Sequence, residues 1–250
     1  MAGIPVGLQL YSIRDDCARD LPGTLAAVAK MGYAGVEFAG YHGRSAQELR
    51  KMLDDLGLKC CGTHIGLDTL LGDNLPKTID YNLALGNKYL VVPWIPDEYR
   101  GSRAAWLSTA KVFNEIAERI RPYGLLVGYH NHNIEFTPLE GEEPFDTFFG
   151  ATHSDIIMQL DIGNAMHGGA DPRVYLKRHP GRAITIHLKE YSAKTPDVII
   201  GDGDVPWKDI FELVEGQRGT DWYIVEQEGY PVPPLEAVAR SREALKKMGK

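Results

Sequence analysis

The eight residues AITIHLKE at 183–190 decide how this chain is read. Apolar Ile184, Ile186 and Leu188 alternate with Thr185, His187 and Lys189, the two-residue period of a β-strand whose side chains point to opposite faces in turn. One face suits a covering layer of helices; the other carries polar groups inward. The same ending recurs on other apolar runs: YHNHNIEF at 129–136, QLDIGN at 159–164 and IVEQE at 224–228. Unpaired charge is costly to bury, so carboxylates and imidazoles at these ends must compensate one another or surround a cation. A divalent-metal site follows as the expectation, with Asp161, His187 and Glu226 as its first ligands.

Outward from that stretch, short apolar runs read as strands at 6–12, 35–39, 58–64, 89–94, 125–132, 157–161, 183–189 and 222–226. Amphipathic segments lie between them, from LPGTLAAVAKMG at 21–32 to PLEAVARSREALKKMG at 234–249, and several end in Gly where a left-handed cap belongs. Eight strands alternating with eight helical segments predict an α/β fold, a single (β/α)8 TIM barrel with its helices outside. The fifth helical segment, PFDTFFGA at 144–151, is short, and periodicity alone leaves an open doubly wound sheet as the alternative. No composition break or low-complexity linker divides residues 1–250, so one domain is expected.

Composition narrows the function. The net charge is −7, and the 27 basic residues are spread without a block of like charge, which argues against a nucleic-acid footprint. Cys17, Cys60 and Cys61 are an odd number with two adjacent, a poor basis for a disulfide framework. The start MAGIPVGLQLYSIRDD lacks the pattern of a signal peptide, and no run of about 18 apolar residues occurs, so a soluble, cytoplasmic protein without membrane contact is expected.

Strand parity groups the candidates. Gln159 shares a face with Asp161, Gln9 with Tyr11, His64 with Gly62 and Cys60, and Glu226 with Glu228, while Glu37 follows Val36 on the second strand. All fall near strand ends, where barrel enzymes build active sites. Taken singly, each has a plainer reading: a lone buried histidine is usually a hydrogen-bonded structural residue, Asp161 caps a turn, Glu37 pairs with Arg14 or Lys189, and aromatic residues at strand ends pack. It is the convergence from six or more strands that favours a site.

GLQLYS, GYAGVEFAGY, YHNHNIEF, LDIGNAMHGGADP, IHLKEYS and IVEQE together resemble the sugar phosphate isomerase/epimerase family, the xylose isomerase-like TIM barrels, over nearly the whole chain. The resemblance implies a divalent metal, with Mn first and Mg, Co or Zn as alternatives, and a sugar or keto-sugar substrate. Matched by motif, Asp161, His187 and Glu226 are ligands. Where ketose epimerases place a glutamate at the end of strand five, this chain has His130, Asn131 and His132 followed by Glu135, and Glu135 is taken as the fourth ligand. Lys189, His64, His130, His132 and Glu37 are the catalytic candidates. Gln9, Tyr11, Trp94, His167 and Trp207 are the substrate-binding ones. The implied reaction is isomerisation or epimerisation through an enediolate, formed by removing the proton beside a metal-polarised carbonyl. The close alternative is elimination from a keto-sugar, keto-inositol or 3-keto-glycoside. No phosphate cradle is visible, so an unphosphorylated substrate is expected. A nuclease and a catalytically silent sugar-binding barrel are the readings from other classes, and assembly into a homo-oligomer stays open.

Overall fold

The computed structural model describes residues 3–250; Met1 and Ala2, which open the N-terminal stretch and the 1–250 domain reading, lie outside them. Eight strands run in chain order: β1 (Val6–Gln9), β2 (Gly35–Ala39), β3 (Lys59–His64), β4 (Tyr89–Val92), β5 (Leu126–His130), β6 (Ile157–Gln159), β7 (Thr185–Leu188) and β8 (Trp222–Val225). All pair in parallel, in the order β6-β5-β4-β3-β2-β1-β8-β7. The outermost strands meet as well: Asp161 bridges His187, whose backbone N–H donates to the Leu160 carbonyl at 3.0 Å. Eight parallel strands thus make a nearly closed TIM barrel.

Helices α1 (Arg14–Arg19) and α2 (Leu21–Met31) follow β1, and α3 (Ala46–Asp55), α4 (Leu75–Leu85), α5 (Arg103–Ile120) and α6 (Pro144–Ala151) follow the next four strands. After β6 come α7 (Ile162–His167) and α8 (Pro172–Arg178), then α9 (Trp207–Gln217) and α10 (Pro234–Lys247) close the last two units. Local sequence explains their starts. Ser45 and Glu48 form a reciprocal capping box at α3, and Asp161 Oδ1 accepts from the Asn164 backbone N–H at 2.6 Å to cap α7.

The strands are buried on both faces, as parallel strands under a helical layer must be. Between β5 and its helices, Trp106 and Phe113 of α5 pack edge-on against Tyr129, with Phe148 of α6 completing the cluster. Because Tyr129 faces this outer layer, His130 faces the barrel. The strands stop earlier than hydrophobicity suggested: β6 at Gln159 and β7 at Leu188, leaving Asp161 and Lys189 just beyond the ladder.

One parity expectation fails. The pairing of β2 with β3 steps from Val36↔Cys60 to Glu37↔Gly62, skipping Cys61. That extra residue reverses the alternation, so Cys60 no longer shares a face with His64.

Candidate functional site

At the C-terminal mouth of the barrel the polar strand ends converge below solvent. Glu37 on β2 is fully buried and accepts from Gln9 Nε2 and Gln159 Nε2, both at 2.8 Å, and from His187 Nε2 at 2.6 Å, with His64 Nε2 at 3.2 Å. Burial alone would raise its pKa, but the imidazoles of His64 and His187 hold it below the usual carboxylate range. Gln159 has one consistent orientation. Its amide nitrogen donates to Glu37 and Thr185, which leaves Oε1 to accept from His64 Nε2 at 2.7 Å and His130 Nδ1 at 3.2 Å.

These bonds fix the ring nitrogens. With its Nδ1 proton held by Gln159, His130 turns Nε2 toward Glu226 Oε2, 3.8 Å away. With its Nε2 proton held by Glu37, His187 turns Nδ1 toward Glu226 Oε2 at 3.2 Å and Asp161 Oδ2 at 3.9 Å. His130, Asp161, His187 and Glu226 each offer one donor atom, all within 4.8 Å of one another, and all four residues are buried. Asp161 Oδ1 is used by the α7 cap, but Oδ2 is buried with no hydrogen-bond partner. That oxygen accepts no hydrogen bond and meets the Lys189 ammonium only at 4.0 Å, so a cluster of two imidazoles and two carboxylates fits a divalent ion. The buffering of both histidines by Gln159 and Glu37 is the support that metal-binding imidazoles need.

Charge at the cluster is tightly linked. Burial raises the Asp161 carboxyl, opposed by Lys189 and reinforced by Glu226. Burial would also raise Glu226, but Lys189 and His187 hold it well below the usual range. For His187 burial favours the neutral ring, yet Glu37 and Glu226 outweigh it and raise the imidazole to about 10. Burial beside His187 keeps His130 neutral. In the protein alone a proton on His187 therefore stands between Glu37 and Glu226, and a metal ion at Nδ1 would displace it.

Above the cluster, Lys189 Nζ pairs with Glu228 and lies 3.6 Å from Glu226 and 4.0 Å from Asp161. Its partner is not Glu37. Although burial opposes it, the three carboxylates raise its pKa, so Lys189 is held as an ammonium. A cleft of about 360 Å³ opens beside it, lined among others by His132, His167 and Glu228. The His132 ring sits edge-on to His130 at 5.1 Å and to Trp94 at 5.3 Å, its Nδ1 is buried without a partner, and burial keeps it neutral. Trp94 and Tyr11 are exposed and stacked under the guanidinium groups of Arg100 and Arg14, and neither lines the cleft.

Three further expected site residues stand elsewhere. Glu135 does not return to the cluster: its carboxylate accepts from Tyr129 Oη and from the His132 backbone N–H, both at 2.7 Å, on the outward face of β5. Gln9 is fully buried, with its amide spent on Glu37 and on the Tyr11 backbone N–H at 3.0 Å. Trp207 is buried against Phe211 and donates its indole N–H to Glu190 at 2.7 Å rather than lining the cleft. Conversely, Gln159, Glu190 and Glu228 had no assigned role in the sequence, although Gln159 and Glu228 had been placed on the faces of Asp161 and Glu226.

A parallel β/α barrel with a histidine–carboxylate cluster at its C-terminal mouth defines the class. Residues 25–248 match the model of the xylose isomerase-like TIM barrel family, and the chain belongs to it. Among curated proteins it is similar to the rhizopine catabolism protein MocC of Rhizobium meliloti, at 24% identity over 90% of this chain and 80% of that protein. It is similar also to the inosose dehydratase of Clostridium perfringens, at 22% identity over 89% of this chain and 88% of the other. A sugar phosphate isomerase/epimerase structure from Parabacteroides distasonis superposes with a TM-score of 0.85 at 27% identity, covering 98% of this chain and 94% of that one.

Proposed function

We propose that the protein is a divalent-metal-dependent sugar isomerase or epimerase that removes the proton beside the carbonyl of an unphosphorylated keto-sugar or keto-polyol. The observation that carries this reading is the set of four buried donors, His130, Asp161, His187 and Glu226, with Asp161 Oδ2 left unpaired among them. A bound ion there supplies Lewis-acid polarisation of a carbonyl and its neighbouring hydroxyl. Mn suits the mixed imidazole and carboxylate set; two imidazoles also admit Zn or Co.

The chain's own residues divide the remaining work. His132, neutral, lining the cleft and with no ring hydrogen bond, is the group proposed to take a proton from carbon; His64 and His130 have ring nitrogens committed to Gln159. Lys189, held as an ammonium, donates to the substrate oxygen on which charge grows. Glu37 positions His187 and His64 rather than meeting substrate. Lys189 is the one lysine or arginine among the described residues lining the cleft, and three carboxylates already neutralise it, which favours an uncharged substrate over a phosphate.

Elimination is the second reading, and the strand-five geometry favours it. With Glu135 turned outward, the site lacks the strand-five glutamate that ketose epimerases place there, so one-sided proton removal followed by loss of a β-substituent suits it. The inosose dehydratase relatives support the same reading. Incubating a panel of keto-sugars and 2-keto-myo-inositol with the Mn-loaded protein in deuterated water tests both. Exchange with epimer or isomer supports the first and a dehydrated product the second; neither exchange nor a product from any of them sinks both.

A further inference from the structure

Within the connection from β7 to α9, residues 191–206 form one wall of the cleft through Tyr191, Ser192, Thr195, Pro196, Asp197 and Val198. Residues 193–197 are exposed and outside regular helix or strand, so apolar burial does little to hold them. Ile199, Ile200 and Val205 bury the far end of the segment, and Glu190 ties that end to Tyr191. Its carboxylate, on a residue only 9% exposed, accepts four N–H groups: Tyr191 and Val205 backbone N–H at 3.1 Å on Oε1, Gly201 N–H and Trp207 Nε1–H at 2.7 Å on Oε2. Those donors come from both ends of the segment. Asp204 N–H donates to the Tyr191 carbonyl at 2.7 Å across the same neck, and a side chain at Gly203 would run into that carbonyl and into Glu190.

The tip is tied to the opposite wall. Gln227, between Glu226 and Glu228, donates from Nε2 to the Val198 carbonyl at 3.0 Å and the Gly229 carbonyl at 2.5 Å. Asp197, in the left-handed region at φ 60°, packs so closely on Gly229 that a Cβ there would overlap its carboxylate.

We infer that Glu190 is a positioning residue whose carboxylate fixes residues 191–206 as the specificity-determining wall of the cleft, for a neutral polyhydroxylated ligand. The ligand class rests on the sugar reading above; none of the six wall residues is cationic, while Ser192, Thr195 and Asp197 offer groups that pair with hydroxyls. A carboxylate saturated by four donors is a strong anchor, because hydrogen bonds to a charged acceptor are roughly twice as strong as neutral ones.

Glu190→Gln tests this, since it keeps the shape but leaves one acceptor oxygen and sets an NH₂ against two of the four donors. The readouts are hydrogen exchange at the Gly201 and Val205 amides, direct Mn²⁺ titration, and calorimetric binding of 2-keto-myo-inositol. The expected result is exchange faster by about 10- to 100-fold, probe binding weaker by about tenfold, and Mn²⁺ affinity within about twofold, the scale of losing one or two hydrogen bonds to a charged acceptor. Exchange unchanged from the parent overturns the anchor, and so does loss of Mn²⁺ affinity in step with loss of the probe, which would make Glu190 a support of the metal cluster. Gly229→Ala gives the independent arm: with Glu190 intact, it should weaken the probe while Gly201 and Val205 stay protected, and undiminished probe binding overturns the wall. If the parent binds no probe yet Glu190→Gln still frees the two amides, the anchor stands and the sugar reading falls.

Discussion

Glu37 and His187, 150 positions apart in the chain, meet at 2.6 Å inside the barrel with neither side chain exposed. The contact decides which imidazole nitrogen is left for the cluster. It also means that substitutions at the site disturb a linked set of charges, so the informative variants are those that change one donor and leave its supports satisfied.

Asp161→Asn is such a change. The amide oxygen retains the cap on Asn164, while the unpaired Oδ2 becomes an NH₂ that binds no cation. Mn²⁺ affinity measured by titration should fall by about two orders of magnitude or more, in line with losing a ligand rather than its support, and the metal-free protein should melt no lower than the parent. Stoichiometric metal in the variant would refute Asp161 as a ligand.

Strand five separates two alternatives. His130→Gln should lose metal, whereas Glu135→Gln should keep it and lose stability instead, by about 1–3 kcal/mol for disturbing a buried acceptor that serves Tyr129 and the His132 N–H. Metal analysis with thermal melting on both variants reads the outcome; the reverse pattern would bring Glu135 back to the cluster.

Lys189→Met removes the ammonium and keeps much of the stem. Turnover of the substrate identified in deuterated water should fall roughly 100-fold or more, the scale of an oxyanion donor, with Mn²⁺ still bound. Near-normal turnover would leave Lys189 as an ion-pair partner of Glu228 and Glu226 alone.

The raised pKa of His187 contributes to the pH dependence of the metal-free protein, in the same direction as the Asp161 carboxyl, which is raised to about 8. A basic group whose folded pKa lies above its unfolded one contributes stability that is complete below the unfolded value, about 6.5, and is lost as pH rises through the folded value, about 10. Melting temperature in chelator should therefore fall between these limits, and Mn²⁺ affinity should rise across the same interval as metal replaces the proton. A melting temperature that climbs steadily to pH 10 in chelator would contradict the protonated His187.

Much of the barrel was legible in the sequence because period-two apolar runs such as AITIHLKE admit few alternatives once helical segments separate them. The cluster residues Asp161, His187 and Glu226 were visible for the same reason: each follows such a run by parity. The failures have local causes. A one-residue bulge at Cys61 leaves no mark on hydrophobicity, so the parity of Cys60 was misread. Glu135 was misplaced because the short helical turn at 134–136 sends its carboxylate to Tyr129, a contact across the outer face that spacing cannot reveal. Trp207 and Glu190 lie 17 positions apart, and only the folded neck between them discloses that the tryptophan serves the carboxylate rather than the cleft.

The strands β6 and β7 are joined at the mouth by the single bridge of Asp161 with His187, the thinnest stitch in the wall. Both residues belong to the cluster. An ion held there would act as a rivet through that seam, so a chelator should do more than silence the enzyme. It should let the cylinder part along one line, exposing backbone to proteases, and the molecule's lifetime in a cell would then follow the supply of metal.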